Sequence, residues 1–302
     1  MTITAKVICD SICKHSKIRI TTLELEYPRF IHSEFMTHRV FSRNASSSRA
    51  IPVAKVIQAV IDNPAMPIHW GKNQSGMQAH EELDDSGKES VERLWIDARD
   101  CAVQLAKEMS EVGAHKQIVN RILEPFTHIK VIVTATDFAN FFALRDHEDA
   151  QPEIRELARV MKAAMETSTP KSLGLGEWHL PYLDDEDLAN INNHMAESSI
   201  TRHKPNKWDV CIMACAVSAA RCARVSYLTH DGERPTLQKD LELYRHLVNA
   251  NPPHMSPCEH QASPNCYSKI DELDYPITPI THSNLRGWRQ FRHLIKDESV
   301  PG

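Results

Sequence analysis

The sequence lacks the glycine-rich loops that bind dinucleotides and nucleoside triphosphates. Its 302 residues include nine glycines, and neither a GxGxxG nor a GKS/GKT spacing occurs among them. The segment GLGEW, residues 174–178, has two glycines but neither spacing. A Rossmann-type cofactor site is therefore not expected.

A membrane-spanning segment, a signal peptide and paired cysteines are also missing. The longest apolar run, residues 211–220, is too short to cross a bilayer. The first residues lack the apolar stretch and small-residue cleavage site of a signal peptide. The eight cysteines include no CxxC pair, which favours reduced thiols. We expect a cytoplasmic protein with no membrane partner.

The chain has no excess of positive charge. Its formal net charge is -5 and its isoelectric point lies near 6.4, whereas binding a nucleic-acid backbone needs many unopposed lysines and arginines. We expect no nucleic-acid polymer as partner, but a small anion held by a local arginine cluster stays open. With 41% hydrophobic and 25% charged residues, a chain of this length can fold without disulfides or a structural metal.

Hydrophobic patterning predicts more helix than strand. Alternation over residues 17–27 predicts a strand, and a parity shift between Ile20 and Leu23 indicates a bulge. β-Branched residues predict a second strand over 128–136. Helical periodicity, with proline, glycine and capping residues at the ends, predicts helices over 29–39, 52–62, 89–113, 115–123, 137–149, 152–168, 185–198, 209–226 and 236–250.

Residues 37–52, THRVFSRNASSSRAIP, concentrate hydroxyl groups and arginines between two predicted helices. Pro52 suits the first turn of the second helix, and the unpaired N–H groups and positive dipole end there attract anions. Arg49 adds a guanidinium that can grip a phosphate with two hydrogen bonds. The stretch predicts a phosphate site, although a capping serine and solvated arginines would explain it equally well.

Other candidate residues have structural explanations of their own. Arg145 ends a predicted helix, where the negative end of the dipole favours a cation. The segment HMSPCEH, residues 254–260, has the composition of a metal site. However, His254, Cys258 and His260 lack a matching second ligand pair. We expect no metal centre.

The stretch THRVFSRNASSSR resembles RHRxxSxNExSxR, the signature of flavin-dependent thymidylate synthases, the ThyX family. NRILEPF resembles the ARxxLP segment of that family, and NFFALRDHEDAQPEIR resembles its NFLxLR and AQxEIR segments. CARVSYLTHDGER and HMSPCEH resemble its ARVSF and HxTPFEH segments. The signature residues in register are His38, Arg39, Ser42, Asn44, Ser47 and Arg49.

The order of these motifs differs from the usual order in the family. The stretches similar to ARVSF and HxTPFEH lie far downstream of the signature instead of preceding it, as in a circular permutation. Thr37 replaces the first arginine of the signature and Ala45 its glutamate, which leaves the local charge sum unchanged. Residues 284–293, NLRGWRQFRH, resemble the family's ARQWFRHR. The residues there that could take the place of the missing arginine are Arg289, Gln290 and Arg292.

The resemblance implies an α/β (α+β) fold with a mixed antiparallel sheet and several helices. It implies one catalytic domain over residues 1–302, in which 63–114 and 167–217 are insertions or surface excursions. Members of the family are homotetramers whose sites lie at junctions between subunits. The family-like core covers residues 17–60, 115–165 and 218–262.

The resemblance also implies an activity, the reductive methylation of dUMP to dTMP. FAD is the cofactor, and methylenetetrahydrofolate and NADPH are the co-substrates. Arg145 and Ser47 are the implied catalytic residues, and Arg145 polarises the pyrimidine. The implied nucleotide-binding residues are Ser47, Arg49, Arg121 and Arg145. The implied flavin-binding residues are His38, Arg39, Ser42, Asn44, Asn140, Ser226, His254, Ser256 and Glu259.

Two alternatives stay open. Because Thr37 and Ala45 depart from the signature, the enzyme could act on dCMP, or leave a hydroxymethyl group on the pyrimidine. Such an activity would suit a phage that modifies its DNA precursors in the host cytoplasm. The chain could instead be a nucleotide-binding protein that has lost the flavin. The base, the fate of the one-carbon unit and the oligomeric state of a permuted chain are open at this point.

Overall fold

Five strands form one sheet, and two short strands form a separate antiparallel pair. The computed structural model describes residues 3–198, 206–225, 233–265 and 283–295. The sheet strands are β1 (Thr4–Cys13), β2 (Arg19–Pro28), β3 (Ser42–Ala45), β4 (His128–Ala135) and β5 (Lys171–Leu173); the pair is β6 (Ala262–Pro264) with β7 (Trp288–Gln290). The sheet order is β3-β4-β2-β1-β5, with β1 and β5 parallel and the other neighbours antiparallel. The predicted α/β class with a mixed sheet is confirmed.

Helices surround the sheet on both faces. The described residues include α1 (His32–Phe35), α2 (Val53–Asp62), α3 (Asp85–Glu111), α4 (Lys116–Leu123), α5 (Ala139–Arg145), α6 (Pro152–Glu166), α7 (Asp185–Ser198), α8 (Lys207–Arg224) and α9 (Leu237–Val248). Short 3₁₀ turns lie at Arg29–Ile31, Glu124–Phe126, Ser256–Glu259 and Phe291–Leu294. Within the described ranges no helix has the length and apolar character needed to cross a membrane.

The two predicted strands are confirmed, and they form the centre of the sheet. β2 and β4 pair antiparallel without a break. The irregularity indicated by the parity shift lies on the neighbouring strand, because β1 shifts its register between Val7 and Cys9, opposite Leu23 and Thr22. The sequence patterns do not predict β1, β3 or β5, and β3 lies inside the stretch predicted to join two helices.

Most helices match the predicted ranges, and the differences lie at their ends. α3 begins earlier than predicted, because the Asp84 carboxylate accepts a hydrogen bond from Gly87 N at 2.8 Å and caps the helix. Residues 29–39 form a 3₁₀ turn and the short helix α1 instead of one longer helix. There the Thr37 hydroxyl donates to Glu34 O at 2.7 Å, which competes with continued helical hydrogen bonding.

One face of the sheet packs on α6 through apolar side chains. Strand residues alternate between the two faces, and Leu23, Leu25 and Val131 on this face are fully buried. They join Ile154 and Leu157 of α6 in one hydrophobic cluster. The same cluster includes aromatic residues of α1 and α5, so burial of apolar surface fixes both helices against the sheet.

The opposite face buries a chain of hydrogen-bonded polar side chains. His179 Nδ1 lies 2.9 Å from Ser11 Oγ, and its Nε2 lies 2.7 Å from Thr22 Oγ1. Thr22 Oγ1 lies 2.7 Å from Thr134 Oγ1, which lies 2.8 Å from His260 Nδ1. All five side chains are buried. Unpaired buried polar groups are costly. This series of hydrogen bonds therefore favours a single packing of the segments that contain His179 and His260 on β1, β2 and β4.

A buried arginine joins the three helices α7, α8 and α9. Arg221 of α8 is buried, and its Nη1 lies 2.7 Å from Asp187 Oδ2 of α7. Its Nε lies 3.0 Å from Asp240 Oδ2 of α9. Burial alone would raise the pKa of Asp187, but bonds from Arg221 and Arg234 lower it. Removing one partner would leave an uncompensated buried charge, so these charges hold the helices together.

Acidification should destabilise the fold through two fully buried histidines, His179 and His260. Burial lowers the pKa of His179 and of His260 to about 3, below the ordinary value of about 6.5. Between about pH 6.5 and pH 3 the unfolded chain binds protons that the folded chain excludes. The free energy of unfolding therefore falls as pH falls, by about 1.4 kcal/mol per pH unit for each histidine.

Urea unfolding between pH 6.5 and pH 5 measures this effect with little contribution from carboxylates. We expect His260→Asn to show a smaller dependence of the unfolding free energy on pH than the wild type. His147→Gln, at an exposed position, should keep the wild-type dependence. A His260→Asn variant with the wild-type pH dependence would show that this histidine does not set the acid sensitivity.

Candidate functional site

β3 holds the residues that resemble the family signature, some before the strand and some after it. The strand pairs antiparallel with β4. His38 and Arg39 precede β3, near the end of β4, whereas residues 46–49 follow β3, near the start of β4. At about 3.4 Å per residue, the four residues of β3 span about 10 Å, and the two groups lie beyond opposite ends of that span.

The group before β3 centres on Arg145, the last residue of α5. Its Nε donates to His38 Nε2 at 3.0 Å. Its Nη1 donates to Glu34 Oε2 at 3.3 Å, and its Nη2 lies 3.5 Å from Thr37 Oγ1. A guanidinium has five N–H donors, so these contacts orient the side chain and leave two donors for a ligand.

His38 is packed between aromatic rings and kept neutral. It is buried, and its ring meets Phe141 edge to face at 4.8 Å and stacks on Phe41 at 5.9 Å between centroids. Burial lowers its pKa, and the charges of Arg145 and Arg43 lower it further. Since Nε2 accepts the bond from Arg145, the neutral ring has its proton on Nδ1.

The two departures from the signature lie at opposite ends of β3. The Thr37 hydroxyl donates to Glu34 O and faces Arg145. An arginine at position 37 would place a second cation beside the Arg145 guanidinium, which already pairs with Glu34. Ala45 is exposed at the far end of the strand. No contact joins the two positions, so the structure lends no direct support to a compensated charge pair.

The serines after β3 divide into an inward and an outward set. Ser46 pairs with the start of β4 through its backbone and its Oγ. Ser48 Oγ donates to Glu124 Oε1 at 2.8 Å. Ser47 and Arg49 are exposed, and their side chains bond to no other described residue. The outward pair is therefore available to an anion.

The helix behind this loop has no side-chain cap. Pro52 takes the N-cap position of α2, one place earlier than the first turn, where the sequence suggested it would lie. No serine of the loop bonds to the start of α2. The alternative that explains these serines as helix caps is therefore wrong. Lys55 N and Val56 N donate to Pro52 O, whereas the N–H groups of Val53 and Ala54 have no acceptor within the helix.

Arg121 is linked through Glu124 to the serine loop, residues 46–49. Its Nη1 donates to Glu124 Oε1 at 3.1 Å, and Arg29 Nε lies 3.7 Å from the same oxygen. Asn120 Nδ2 donates to Ser48 O at 2.7 Å. One carboxylate thus gathers two arginines and a serine, while the Arg121 side chain stays exposed.

A cavity of about 220 Å³ opens beside this loop. Its wall includes Ser46 and Ser48 and apolar residues of α2. Asn120 Oδ1 and His128 Nε2, whose residues line the cavity, are buried and have no hydrogen-bonding partner among the described residues. Water or a ligand that donates hydrogen bonds would satisfy both atoms.

Residues far downstream meet β3 on the other face of the sheet. Ser42 Oγ bonds to Asn284 and Gln290. Asn44 Nδ2 donates to Cys222 O at 3.4 Å. The stretches similar to ARVSF and ARQWFRHR, which contain Cys222, Asn284 and Gln290, thus pack against the signature-like stretch, as a circular permutation requires.

The 3₁₀ turn 256–259 lies against β3. Arg292 pairs with the Glu259 carboxylate of this turn. Arg289 Nε is buried and has no hydrogen-bonding partner among the described residues. The pairing with Glu259 explains Arg292 without a role in replacing the missing signature arginine.

The remaining predicted flavin-binding residues lie at the surface or outside the described ranges. The side chains of Arg39, Asn140, His254 and Ser256 are exposed. Ser226 lies outside the described residues. The exposed set is open to a ligand or to a second subunit.

The three residues with the composition of a metal site are separated by their environments. His254 is exposed, whereas Cys258 is fully buried, and burial raises its pKa to about 12. His260 Nδ1 lies 2.8 Å from Thr134 Oγ1. In the part of the chain that the structure describes, no three metal-ligating side chains come together.

Sequence reasoning missed three residues that hold predicted site residues. Arg121 and Glu124 are three positions apart on a predicted helix end, a spacing that favours pairing and was a usable signal. Glu34 contacts Arg145, and Asn284 contacts Ser42, only because the tertiary fold brings them together. The missed residues are Glu34, Glu124 and Asn284.

Removing the Arg145 charge should raise the pKa of His38. The cation disfavours the charged imidazole, and the arginine also shields it from water. We expect NMR titration of the ring to show a higher His38 pKa in Arg145→Ala. Arg39→Ala should leave it unchanged, and His38→Gln identifies the signal. An unaltered His38 pKa in Arg145→Ala would refute the contact.

Comparison with known families finds one family profile that matches the first half of the chain. The profile of the Thy1 family, described as thymidylate synthase complementing protein, matches residues 10–171. This is more than half of the 302 residues. It includes the signature-like stretch together with Arg121 and Arg145.

Two solved structures are similar to part of the chain. A UMP/dUMP methylase PolB from Streptomyces cacaoi bound with 5-Br dUMP has a TM-score of 0.46 and 17% identity, over 54% of this chain and 90% of that chain. The same methylase bound with 5-Br UMP has a TM-score of 0.44 and 18% identity, over 54% and 88%. A comparison with curated proteins gives no match. The family match shows that the chain belongs to the Thy1 family, the ThyX thymidylate synthase complementing proteins, and is an enzyme of the thymidylate synthase-like methyltransferase class.

Proposed function

We propose that the protein is a flavin-dependent thymidylate synthase that methylates dUMP to dTMP with methylenetetrahydrofolate and NADPH. Membership of the Thy1 family supports this function. The observation that carries it is the pair of arginine groups at the two ends of β3. Arg145 has two uncommitted N–H donors at one end, and Ser47 and Arg49 are exposed at the other. A nucleotide monophosphate needs both a phosphate clamp and donors to its base.

Ser47 and Arg49 would bind the 5′-phosphate. A guanidinium can give a phosphate two parallel hydrogen bonds, and a serine hydroxyl adds a third. The nearby start of α2 has no side-chain cap, so the N–H groups of Val53 and Ala54 lack an acceptor within the helix, and the helix dipole also favours a negative charge. Arg121, exposed beside Glu124, adds positive charge to the same region.

Arg145 would bind the pyrimidine through its two remaining donors. A carbonyl oxygen and N3 of the base are the natural acceptors, and negative charge on them makes C5 nucleophilic. His38 and Glu34 fix the guanidinium in advance, so its stabilising effect on that charge costs no reorganisation during the reaction.

The residues around β3 fit FAD. Its pyrophosphate needs cations, and Arg39 is an exposed guanidinium without a hydrogen-bonding partner among the described residues. Asn140, His254 and Ser256 present exposed polar groups, and Glu259 is half-buried. We propose that these residues hold the flavin. The flavin would supply the transfer of reducing equivalents from NADPH to the one-carbon unit.

The exposure of so many predicted ligands supports a site between subunits. Arg39, Arg49, Arg121 and Asn140 are all open to solvent in the single chain. A second subunit over these residues would exclude water and strengthen their electrostatic effect on the nucleotide. We therefore propose a homotetramer with the nucleotide bound at subunit junctions.

Substituting Arg145 should remove catalysis while leaving the flavin bound. We expect Arg145→Ala to lower kcat for dTMP formation by at least about 100-fold, the effect of losing one preorganised donor group. Flavin absorbance after gel filtration should match the wild type. Arg159→Ala, which removes an exposed arginine paired with Asp146, is the matched control. Normal turnover in Arg145→Ala would refute the assignment.

The product tests the function against its nearest rival. Thr37 and Ala45, which depart from the signature, favour as second candidate an enzyme that acts on dCMP or leaves a hydroxymethyl group. We expect dUMP, incubated with the protein, FAD, methylenetetrahydrofolate and NADPH, to gain a methyl group by mass spectrometry. A hydroxymethyl product, or turnover of dCMP alone, would establish the second candidate. A protein that shows no flavin absorbance after FAD is added would be a nucleotide-binding protein only.

A further inference from the structure

The C-terminal segment 283–295 lies outside the residues that match the family profile, yet it contacts predicted flavin-binding residues. Three of its side chains, Asn284, Gln290 and Arg292, reach two regions that are far apart in the sequence. One region is the start of β3, and the other is the 3₁₀ turn 256–259.

Ser42 has its hydrogen-bonding capacity filled by this segment. Its Oγ accepts from Asn284 Nδ2 at 3.0 Å and from Gln290 Nε2 at 3.2 Å. It can donate to Asn284 Oδ1 at 3.4 Å. A serine hydroxyl has one donor and two acceptor positions, and Ser42 is 1% exposed. No position is left on this hydroxyl for a ligand.

Gln290 links Ser42 to the turn. It is 1% exposed, and its Nε2 also lies 2.8 Å from Asn284 Oδ1 and 3.4 Å from Glu259 O. Asn284 Nδ2 donates in addition to Val40 O at 2.9 Å. Two amide side chains therefore join the loop before β3, the strand itself and the turn.

Glu259 is held at both its backbone and its side chain. Gln290 contacts its carbonyl oxygen, and Arg292 pairs with its carboxylate. The carboxylate keeps some exposure to solvent, so it stays accessible to a ligand. Because each group in this buried network satisfies another, loss of one member leaves its partners unpaired.

We propose that Asn284 and Gln290 are positioning residues of the flavin site, which keep β3 and the Glu259 turn at a fixed separation. Ser42 is then an anchor for the turn and not a contact of the flavin. This inference rests on the proposed flavin-dependent function. Ser42, Asn284 and Gln290 act as one unit, so removing any of these side chains lets the turn 256–259 move relative to β3.

A double-mutant cycle on the full chain tests this unit. We expect the Kd for FAD, from flavin fluorescence titration, to rise about tenfold in Gln290→Met and in Ser42→Ala, as for coupled residues of one network. The double variant should be no weaker than the weaker single variant. Arg286→Ala, at an exposed position of the same segment, should bind FAD like the wild type.

The Michaelis constant for dUMP separates positioning from general loss of structure. At saturating FAD it should stay unchanged in Gln290→Met, because the residues proposed to bind dUMP, Arg145, Ser47 and Arg49, make no hydrogen bond to this network among the described residues. Variants that bind FAD like Arg286→Ala, additive losses in the double variant, or parallel losses for FAD and dUMP would overturn the inference. A wild type that binds no FAD would overturn the proposed function and the inference together, whereas wild-type binding with unaffected variants overturns the inference alone.

Discussion

The site depends on one short piece of backbone pairing, the antiparallel ladder between β3 and β4. Because side chains alternate along a strand, Ser42 and Asn44 face α8 and the segment 283–295. Arg43 faces the residues that follow α1, where it donates to Met36 O and His38 O. The same four residues set the distance between the residues before the strand and the serine loop after it. A shift of one residue would exchange the two faces and break both sets of contacts.

The site divides its arginines into paired and unpaired ones. Arg145 shares its charge with Glu34, and Arg292 pairs with Glu259, as partly buried charges require. Arg39 and Arg49 are exposed, and neither has a hydrogen-bonding partner among the described residues. The paired arginines are therefore fixed in orientation, whereas the positive charges of Arg39 and Arg49 are open to an anionic ligand.

Sequence patterning predicted β2, β4 and most helices, but not the interior strand β1 or the two edge strands β3 and β5. β3 and β5 have four and three residues, too few for a period to be visible, and β3 is a strand because β4 pairs with it. The family motif singled out His38 and Arg145, which the fold brings together. The motif could not predict the hydrogen bond between Gln290 and Ser42. These two residues are 248 positions apart and come together only through the packing of distant segments.

A crystal structure of the protein with FAD and dUMP tests the central claim most directly. We predict that FAD contacts Arg39, which precedes β3, and Glu259, which lies far downstream, within one cleft. We also predict that dUMP lies with its phosphate on Arg49 and its base on Arg145 of the same or a partner subunit. Ligands bound to Arg49 and Arg145 in separate clefts, in every arrangement of subunits, would contradict it.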